Sequence, residues 1–247
     1  RKLDFQVIEV SDDEKLNLLE DFQVRILKVG QIDSLSVMKI ENKTIVNTND
    51  CVLDKIKLNK IKNKLDLNKV DLLLTQFSYA SWIGSPQDKS LRLIAAKEKL
   101  SQMQEQIKIL EPKNTIPFAS YIYFCHQDNF YMNDSIVNLK DVKKNLKFLD
   151  TNIVVLYPGS CYSFDNSHNS DLDYHKYILD FYNIQNKKIF KQSVYFNYND
   201  LLLASKKYLK SLFKKNTRFI LFSYYIFSKI FKFFFKKDFI GFSGTTF

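Results

Sequence analysis

Apolar and polar residues alternate along two neighbouring stretches near the start of the chain. Residues 22–29, FQVRILKV, and residues 34–40, SLSVMKI, repeat every second position, which is the period of a half-buried β-strand. The polar residues 41–43 precede a third apolar stretch at 44–46, which indicates a hairpin turn. The pattern therefore predicts an antiparallel hairpin that ends at the polar residues 47–50, NTND.

Strands and helices alternate in the pattern that follows this hairpin. Residues 70–74, VDLLL, form a short apolar run that is typical of a strand covered on both faces. The pattern predicts further strands at 116–124 and 153–157, and helices at 52–67, 88–110 and 135–149. In the longest helix the predicted apolar stripe is Leu91, Ala95, Leu100, Met103, Ile107 and Leu110. This alternation predicts a layered α/β domain.

The pattern changes after residue 170, so we divide the chain into a domain at 1–170 and an α+β extension at 171–247. Strands are predicted at 177–182 and 189–196. Asp200 is predicted to cap an amphipathic helix that reaches residue 212. The side chains expected to face inward on this helix are Leu202, Tyr208, Leu209 and Leu212.

The aromatic segment at 219–235 is expected to be a helix packed on the domain. Its uncharged part, residues 219–228, is far shorter than the ~20 residues that cross a bilayer, so no transmembrane span is predicted.

Positive charge is concentrated in the extension. The formal net charge is +10, and residues 201–240 contain ten Lys and Arg residues against one acidic residue. Such a segment binds an anionic surface, or it is a solvated helix face, and both interpretations stay open. Three cysteines at wide spacing do not form a disulfide framework, which favours a reducing compartment, the cytoplasm.

Two predicted strand ends carry side chains that bind metals. Asp50 follows the hairpin, and His126 follows the strand at 116–124. In layered α/β folds ligands gather at strand ends, and a carboxylate with an imidazole suits zinc or iron. A lone Asp at a strand end is also an ordinary turn residue, and a lone His is often structural. His168 and His175 are interpreted as surface residues.

Four segments together resemble a known family: residues 32–51, 70–82, 109–134 and 154–160. They are similar to the second half of a metallo-β-lactamase-fold domain, with its layered αββα architecture. The branch they resemble is that of metallo-hydrolase-like proteins related to CMP-N-acetylneuraminate hydroxylase. There an Asn-Thr-x-Asp-Cys pattern and a Pro-Phe-Ala strand lead to metal ligands, which implies that Asp50 and His126 hold metal here.

The chain departs from that family in its histidines. The His-x-His-x-Asp-His loop of the fold is absent, and a catalytic zinc needs about three protein ligands. Because the sequence also begins at Arg1, we expect it to correspond to the C-terminal half of such a domain and to be inactive alone. The Cys/His pairs of a Rieske cluster are absent too, so oxygen chemistry is not implied.

Three functions follow as alternatives. The first is a metal-dependent hydrolase in which one or two zinc or iron ions lower the pKa of bound water to about 7. Its substrate would be a small molecule, such as a sugar nucleotide or another phosphorylated metabolite. The second is an iron-dependent monooxygenase-like protein related to CMP-N-acetylneuraminate hydroxylase. The third is a non-catalytic binding module whose basic C-terminal region docks on an anionic surface. The residues expected around metal or substrate are Asn47, Thr75, Asp128 and Asn129.

Overall fold

The chain forms two compact units, Arg1–Gln192 and Ser193–Phe247. The computed structural model describes residues 8–166, 168–187 and 197–216, together with residues 220, 222, 223, 225–227 and 229. The helix after residue 170 belongs to the first unit, since its Tyr174 and Tyr177 pack against that unit's core.

The first unit is built on one seven-stranded mixed sheet whose strands lie side by side in chain order. The strands are β1 (Lys15–Leu19), β2 (Phe22–Val29), β3 (Asp33–Ile40), β4 (Lys43–Asn49), β5 (Leu72–Gln76), β6 (Asn114–Phe118) and β7 (Asn152–Ile153). Neighbours from β1 to β4 are antiparallel, and those from β4 to β7 are parallel. The predicted hairpin is thus β3–β4, while β1 was not predicted.

Helices connect the parallel strands, as a parallel sheet requires. They are α1 (Lys55–Lys64), α2 (Lys89–Leu110), and a 3₁₀ turn (Phe130–Asp134) with α3 (Leu139–Leu146). A further helix, α4 (Ser170–Lys187), follows β7. Local side chains fix two helix starts. Asp54 caps α1 by accepting from the Lys57 amide at 2.8 Å, and Asn138 and Asp141 form a capping box on α3.

The two faces of the sheet are covered differently. One face presents Leu35, Val37, Val46 and Leu73 to a core shared with α1, α2 and α3. On the opposite face a smaller cluster of Leu72, Ile116 and Val154 packs with the partly buried loop residues Tyr162 and Phe164. The layered α/β architecture predicted from the pattern is therefore present, with the main core under the helices.

The buried face of α2 differs from the predicted stripe at its start. Leu91 is 51% exposed, whereas Arg92 has no exposed surface. The Arg92 guanidinium donates to both carboxylate oxygens of Asp134, at 2.9 and 2.8 Å, and to the carbonyl oxygen of Ser85 at 2.7 Å. It also lies over the ring of Tyr131. A charged side chain, with each of its three nitrogens hydrogen-bonded, thus begins the buried face of the helix.

Two predicted strands are corrected by the structure. The strand predicted at 116–124 stops at Phe118, because Ala119 has a φ of +54° and Ser120 turns inward. Residues 177–182 are not a strand but part of α4, whose first turn contains the acidic residues that a helix N-terminus favours. The strand predicted at 189–196 lies outside the described residues.

The second unit contains α5 (Tyr198–Lys215), which agrees with the predicted helix. Asn197 caps it and Asp200 lies in its first turn. No residue of α5 is buried; Leu202, Tyr208 and Leu209 are exposed and Leu212 is half-buried, so their inward packing stays a prediction. Five described side chains of the aromatic segment are likewise exposed: Ile220, Phe222, Tyr225, Ile226 and Phe227. The packing of this segment on the domain stays a prediction. Within the described part of the chain, no helix has the length and apolar composition to cross a membrane.

Replacing Arg92 by Met should lower the free energy of unfolding by about 2–4 kcal/mol, because it leaves Asp134 and two carbonyl groups without their buried partner. Urea unfolding followed by circular dichroism measures this. The control is Lys143→Met, which removes the exposed ion pair with Asp171 and should change stability by about 0–1 kcal/mol. Equal effects of the two substitutions would contradict a stabilising role of the buried pair.

The Arg92–Asp134 pair also predicts a pH dependence. The Arg92 hydrogen bond lowers the pKa of Asp134 below its ordinary 3.8, so this contribution is present above that pH and disappears as the pH falls through the lowered pKa. The stability difference between the wild type and Asp134→Asn should therefore be largest near neutral pH and shrink below about pH 4. Urea midpoints measured from pH 2 to pH 7 test this, and a constant difference over that range would refute it.

Candidate metal centre

β4 ends in a tight turn that leaves Asp50 exposed. The residue before it, Asn49, adopts a left-handed φ of +49°, and its amide donates to the side chain of Asn47 at 2.9 Å. The amide of Cys51 closes the turn by donating to the carbonyl of Thr48 at 3.0 Å. Asp50 is thus a turn residue with a free approach from solvent, and Asn47 helps to shape the turn.

A buried polar cluster lies beneath this turn. Thr48 and Thr75, at the ends of β4 and β5, have essentially no exposed surface. Both hydroxyls contact Oε1 of Gln106 on α2, which lies 3.0 Å from the Thr48 hydroxyl. The cluster therefore joins two strand ends to the helix that covers them. The hydroxyl of Thr75, which we expected near metal or substrate, is engaged in this internal contact.

Two charged residues that we did not predict lie close to Asp50. Asp33 is the first residue of β3, and its charge acts on the Cys51 thiol together with that of Asp50. Lys99 on α2 donates to the side chain of Gln76. Burial lowers the pKa of Lys99, while the charges of Asp50 and Asp33 oppose that shift. An ammonium group and two carboxylates thus share this end of the sheet.

The environment of Cys51 confirms the same grouping. Burial, followed by the nearby charges of Asp33 and Asp50, raises the pKa of its thiol to about 11. The thiol is therefore protonated at neutral pH.

His126 lies in the loop between β6 and the 3₁₀ turn and is half-buried. Its amide donates to the side chain of Asn129 at 3.2 Å, and the Asn129 amide returns a bond to its carbonyl at 3.1 Å. Asn133 fastens the same loop through bonds to the backbone of Phe124 and Phe130. Asn129 thus holds the loop that carries His126, and the exposed Asp128 lies between them in the turn.

Asp50 and His126 follow β4 and β6, the parallel strands on either side of β5. Both therefore come after the carboxyl ends of the strands, where ligands bind in such sheets. No group of three or more His, Cys, Asp or Glu residues able to hold a metal occurs among the described residues. These residues alone thus do not fit a complete metal site, and the meeting of Asp50 with His126 stays a prediction.

The other two histidines follow β7 in the chain, His168 in a loop and His175 in α4. His168 is not the surface residue we expected, because it is half-buried and its Nε2 lies 2.7 Å from the carbonyl oxygen of Val155. The same nitrogen lies 3.4 Å from the buried carboxylate of Asp173. His168 therefore fastens the segment after β7 to α4. His175 is exposed, as predicted.

Comparisons with known proteins give only distant likenesses. No protein-family model and no curated protein matches the chain. A mutant of the CmlA beta-hydroxylase is similar at 14% identity over 62% of this chain and 33% of its own, with a TM-score of 0.40. The metallo-beta-lactamase fold protein YhfI from Bacillus subtilis is similar at 14% identity, 63% and 55% coverage and a TM-score of 0.38. The chain therefore spans between a third and just over half of these two structures.

A third similar structure comes from Thermotoga maritima and bears the description of a zinc-dependent hydrolase of the metallo-beta-lactamase superfamily. It is 13% identical over 59% of this chain and 70% of its own, with a TM-score of 0.38. At these scores no residue role passes from the three structures to this chain.

The three cysteines should react with iodoacetamide in the order of their exposure, since alkylation needs both access and thiolate. Cys161 is exposed, Cys125 is half-buried and Cys51 is buried. At pH 8 we expect Cys51 to react at least about tenfold more slowly than Cys161 until urea unfolds the chain. Mass spectrometry of the labelled peptides over time measures the rates. Rapid labelling of Cys51 in the folded chain would mean that the turn at Asp50 opens.

Proposed function

We propose that this chain supplies part of a metal-dependent hydrolase of the metallo-β-lactamase superfamily, with Asp50 and His126 as metal ligands. The observation that carries the proposal is the exposed position of Asp50 directly after β4, within the segment at 44–51 that resembles the family's metal-binding pattern. The layered architecture, with helices covering one face of a mixed sheet, also supports it.

The two proposed ligands suit one or two zinc or iron ions. Hydrolysis would need at least one further protein ligand, so we assign activity to an assembly that provides it. Asp33 and Lys99 are two further charged residues at this end of the sheet. The Lys99 ammonium group reduces the repulsion between Asp33 and Asp50, which would otherwise oppose their approach.

For the substrate we propose a small molecule, with a sugar nucleotide or another phosphorylated metabolite as the class that the family resemblance favours. Asp128 and Asn129 in the His126 loop and Asn47 in the β4 turn are the polar residues proposed near it.

A relative of CMP-N-acetylneuraminate hydroxylase that oxidises its substrate with iron would use the same two ligands, so the iron content of the intact protein separates the two chemistries. The free thiols of all three cysteines support a cytoplasmic location.

A second candidate function is a non-catalytic binding module. One observation favours it: the basic helix α5 exposes most of its apolar side chains. This function would require neither metal nor substrate, and binding would decline with added salt.

We expect the chain alone to show no hydrolase activity and to bind Zn²⁺ with a dissociation constant weaker than about 1 μM, because its ligand set is incomplete. In calorimetric titrations Asp50→Asn and His126→Gln should each weaken binding by about tenfold. The matched controls are Asp150→Asn and His175→Gln, which change exposed residues of the same types.

Two results would contradict these expectations. Tight, stoichiometric zinc would show that the site is complete. Equal binding by all four variants would remove Asp50 and His126 as ligands.

A further inference from the structure

Helix α5 has two faces of different chemistry. At 100° per residue its apolar side chains fall on one side and four of its lysines on the other. The apolar face consists of Tyr198, Leu201, Leu202, Tyr208, Leu209, Leu212 and Phe213. The lysine face consists of Lys206, Lys207, Lys210 and Lys214, with Leu203 among them. The helix is therefore amphipathic along its whole length.

Within the second unit, the described residues leave the apolar face of α5 open. Six of its seven side chains are between 39% and 74% exposed, and the helix contains no buried residue. Several large side chains on one helix face form a contiguous apolar patch of the kind that marks an interaction surface. A partner has to accept both this face and the lysines that border it.

The charge of the helix identifies the partner. Asp200 is the acidic residue of α5, against five lysines when Lys215 in the last turn is included. An amphipathic helix with aromatic and leucine residues on one face and lysines on the other lies in the plane of a lipid surface. We propose that α5 docks on an anionic membrane surface, with its apolar face between the headgroups and its lysines beside them.

Each alternative partner would make favourable contacts with only one of the two faces of α5. Nucleic acid would neutralise the lysines but would leave the leucines in water. A second copy of the helix would cover the apolar face but would bring the bordering lysines of both helices together. A lipid surface accepts both, and the exposed Tyr225 beyond α5 is of a type enriched at the level of the headgroups. This proposal is independent of the metal site.

Co-sedimentation of the full chain with vesicles tests the proposal. We compare phosphatidylcholine vesicles with vesicles that also contain phosphatidylserine, at low and at high salt. Binding should require the anionic lipid and should fall as salt is added, since attraction to the headgroups is screened. Equal binding to both vesicle types, or no binding to anionic vesicles at low salt, would overturn the proposal.

Matched variants separate the two faces. Leu209→Ser removes one leucine from the apolar face and should weaken binding about tenfold, whereas Leu203→Ser makes the same change on the lysine face and should leave binding unchanged. The triple change Lys206→Gln, Lys207→Gln, Lys210→Gln should weaken binding by about 100-fold, at roughly fivefold for each charge. Its control removes three exposed lysines of the first unit: Lys55→Gln, Lys60→Gln and Lys144→Gln.

The remaining outcomes assign the face to another partner. Equal effects of Leu203→Ser and Leu209→Ser would overturn the proposed orientation, provided that circular dichroism shows unchanged helix content. Tighter binding to a single-stranded RNA oligonucleotide than to anionic vesicles, measured by fluorescence anisotropy, would assign the face to nucleic acid and overturn the proposal. A dimer in sedimentation velocity that Leu209→Ser dissociates, while vesicles do not bind, would assign it to a second copy and overturn it as well.

Discussion

The fully buried guanidinium of Arg92 is the constraint on which the arrangement around the candidate site depends. A buried charge is tolerated only when its hydrogen bonds are satisfied, and here the partners come from two separate loops. Ser85 and Pro86 precede α2, while Asp134 belongs to the segment after β6. One side chain therefore fixes the loops that follow β5 and β6 against the same helix. The loop that carries His126 ends at this anchor.

A second set of bonds fastens the same loops nearer to the sheet. The hydroxyl of Ser120 accepts from the amides of Phe77 and Ser78, both at 3.0 Å, and the phenol of Tyr79 donates to the carbonyl of Met132 at 2.6 Å. Segments that lie more than forty residues apart in the chain are thereby held together. The ends of β5 and β6 owe their geometry to these polar contacts as much as to the apolar core.

The sequence predicts the fold best where the signal is local. The bounds of β2 were predicted to the residue, and those of β3 nearly so, because alternation is a property of the strand itself. The local pattern predicts the wrong structure after Phe118. The residues PFASYIYF have continuous strand character, but the chain turns at Ala119 so that Ser120 reaches the neighbouring loop. The strand predicted at residues 177–182 is wrong for a similar reason. Tyr174 and Tyr177 pack one helical turn apart on a core that the pattern alone does not reveal.

In the candidate site too, local features are predictable from the sequence and long-range contacts are not. The turn at Asp50 follows from the pattern of its own strand end. Asp33 requires the pairing of β3 with β4, and Lys99 lies on a helix that only tertiary packing brings to that edge. Arg92 was missed because a charged residue in an apolar stripe is expected to face water. Long-range polar partners are what the sequence pattern leaves out.

Because the strands lie side by side in chain order, the two halves of the sheet differ in the conformational entropy that is lost when their strands pair. Each antiparallel pair from β1 to β4 closes a turn of a few residues, whereas Leu73 meets Thr115 and Thr115 meets Ile153 only after long excursions. Loop-closure entropy grows with the length enclosed, and non-local pairing is the slow part of folding. The antiparallel strands β1 to β4 thus pair with neighbours close in the chain, and the parallel strands β4 to β7 pair with neighbours far away in the chain. Asp50 directly follows β4, the strand at which the locally paired half of the sheet meets the half paired over long separations.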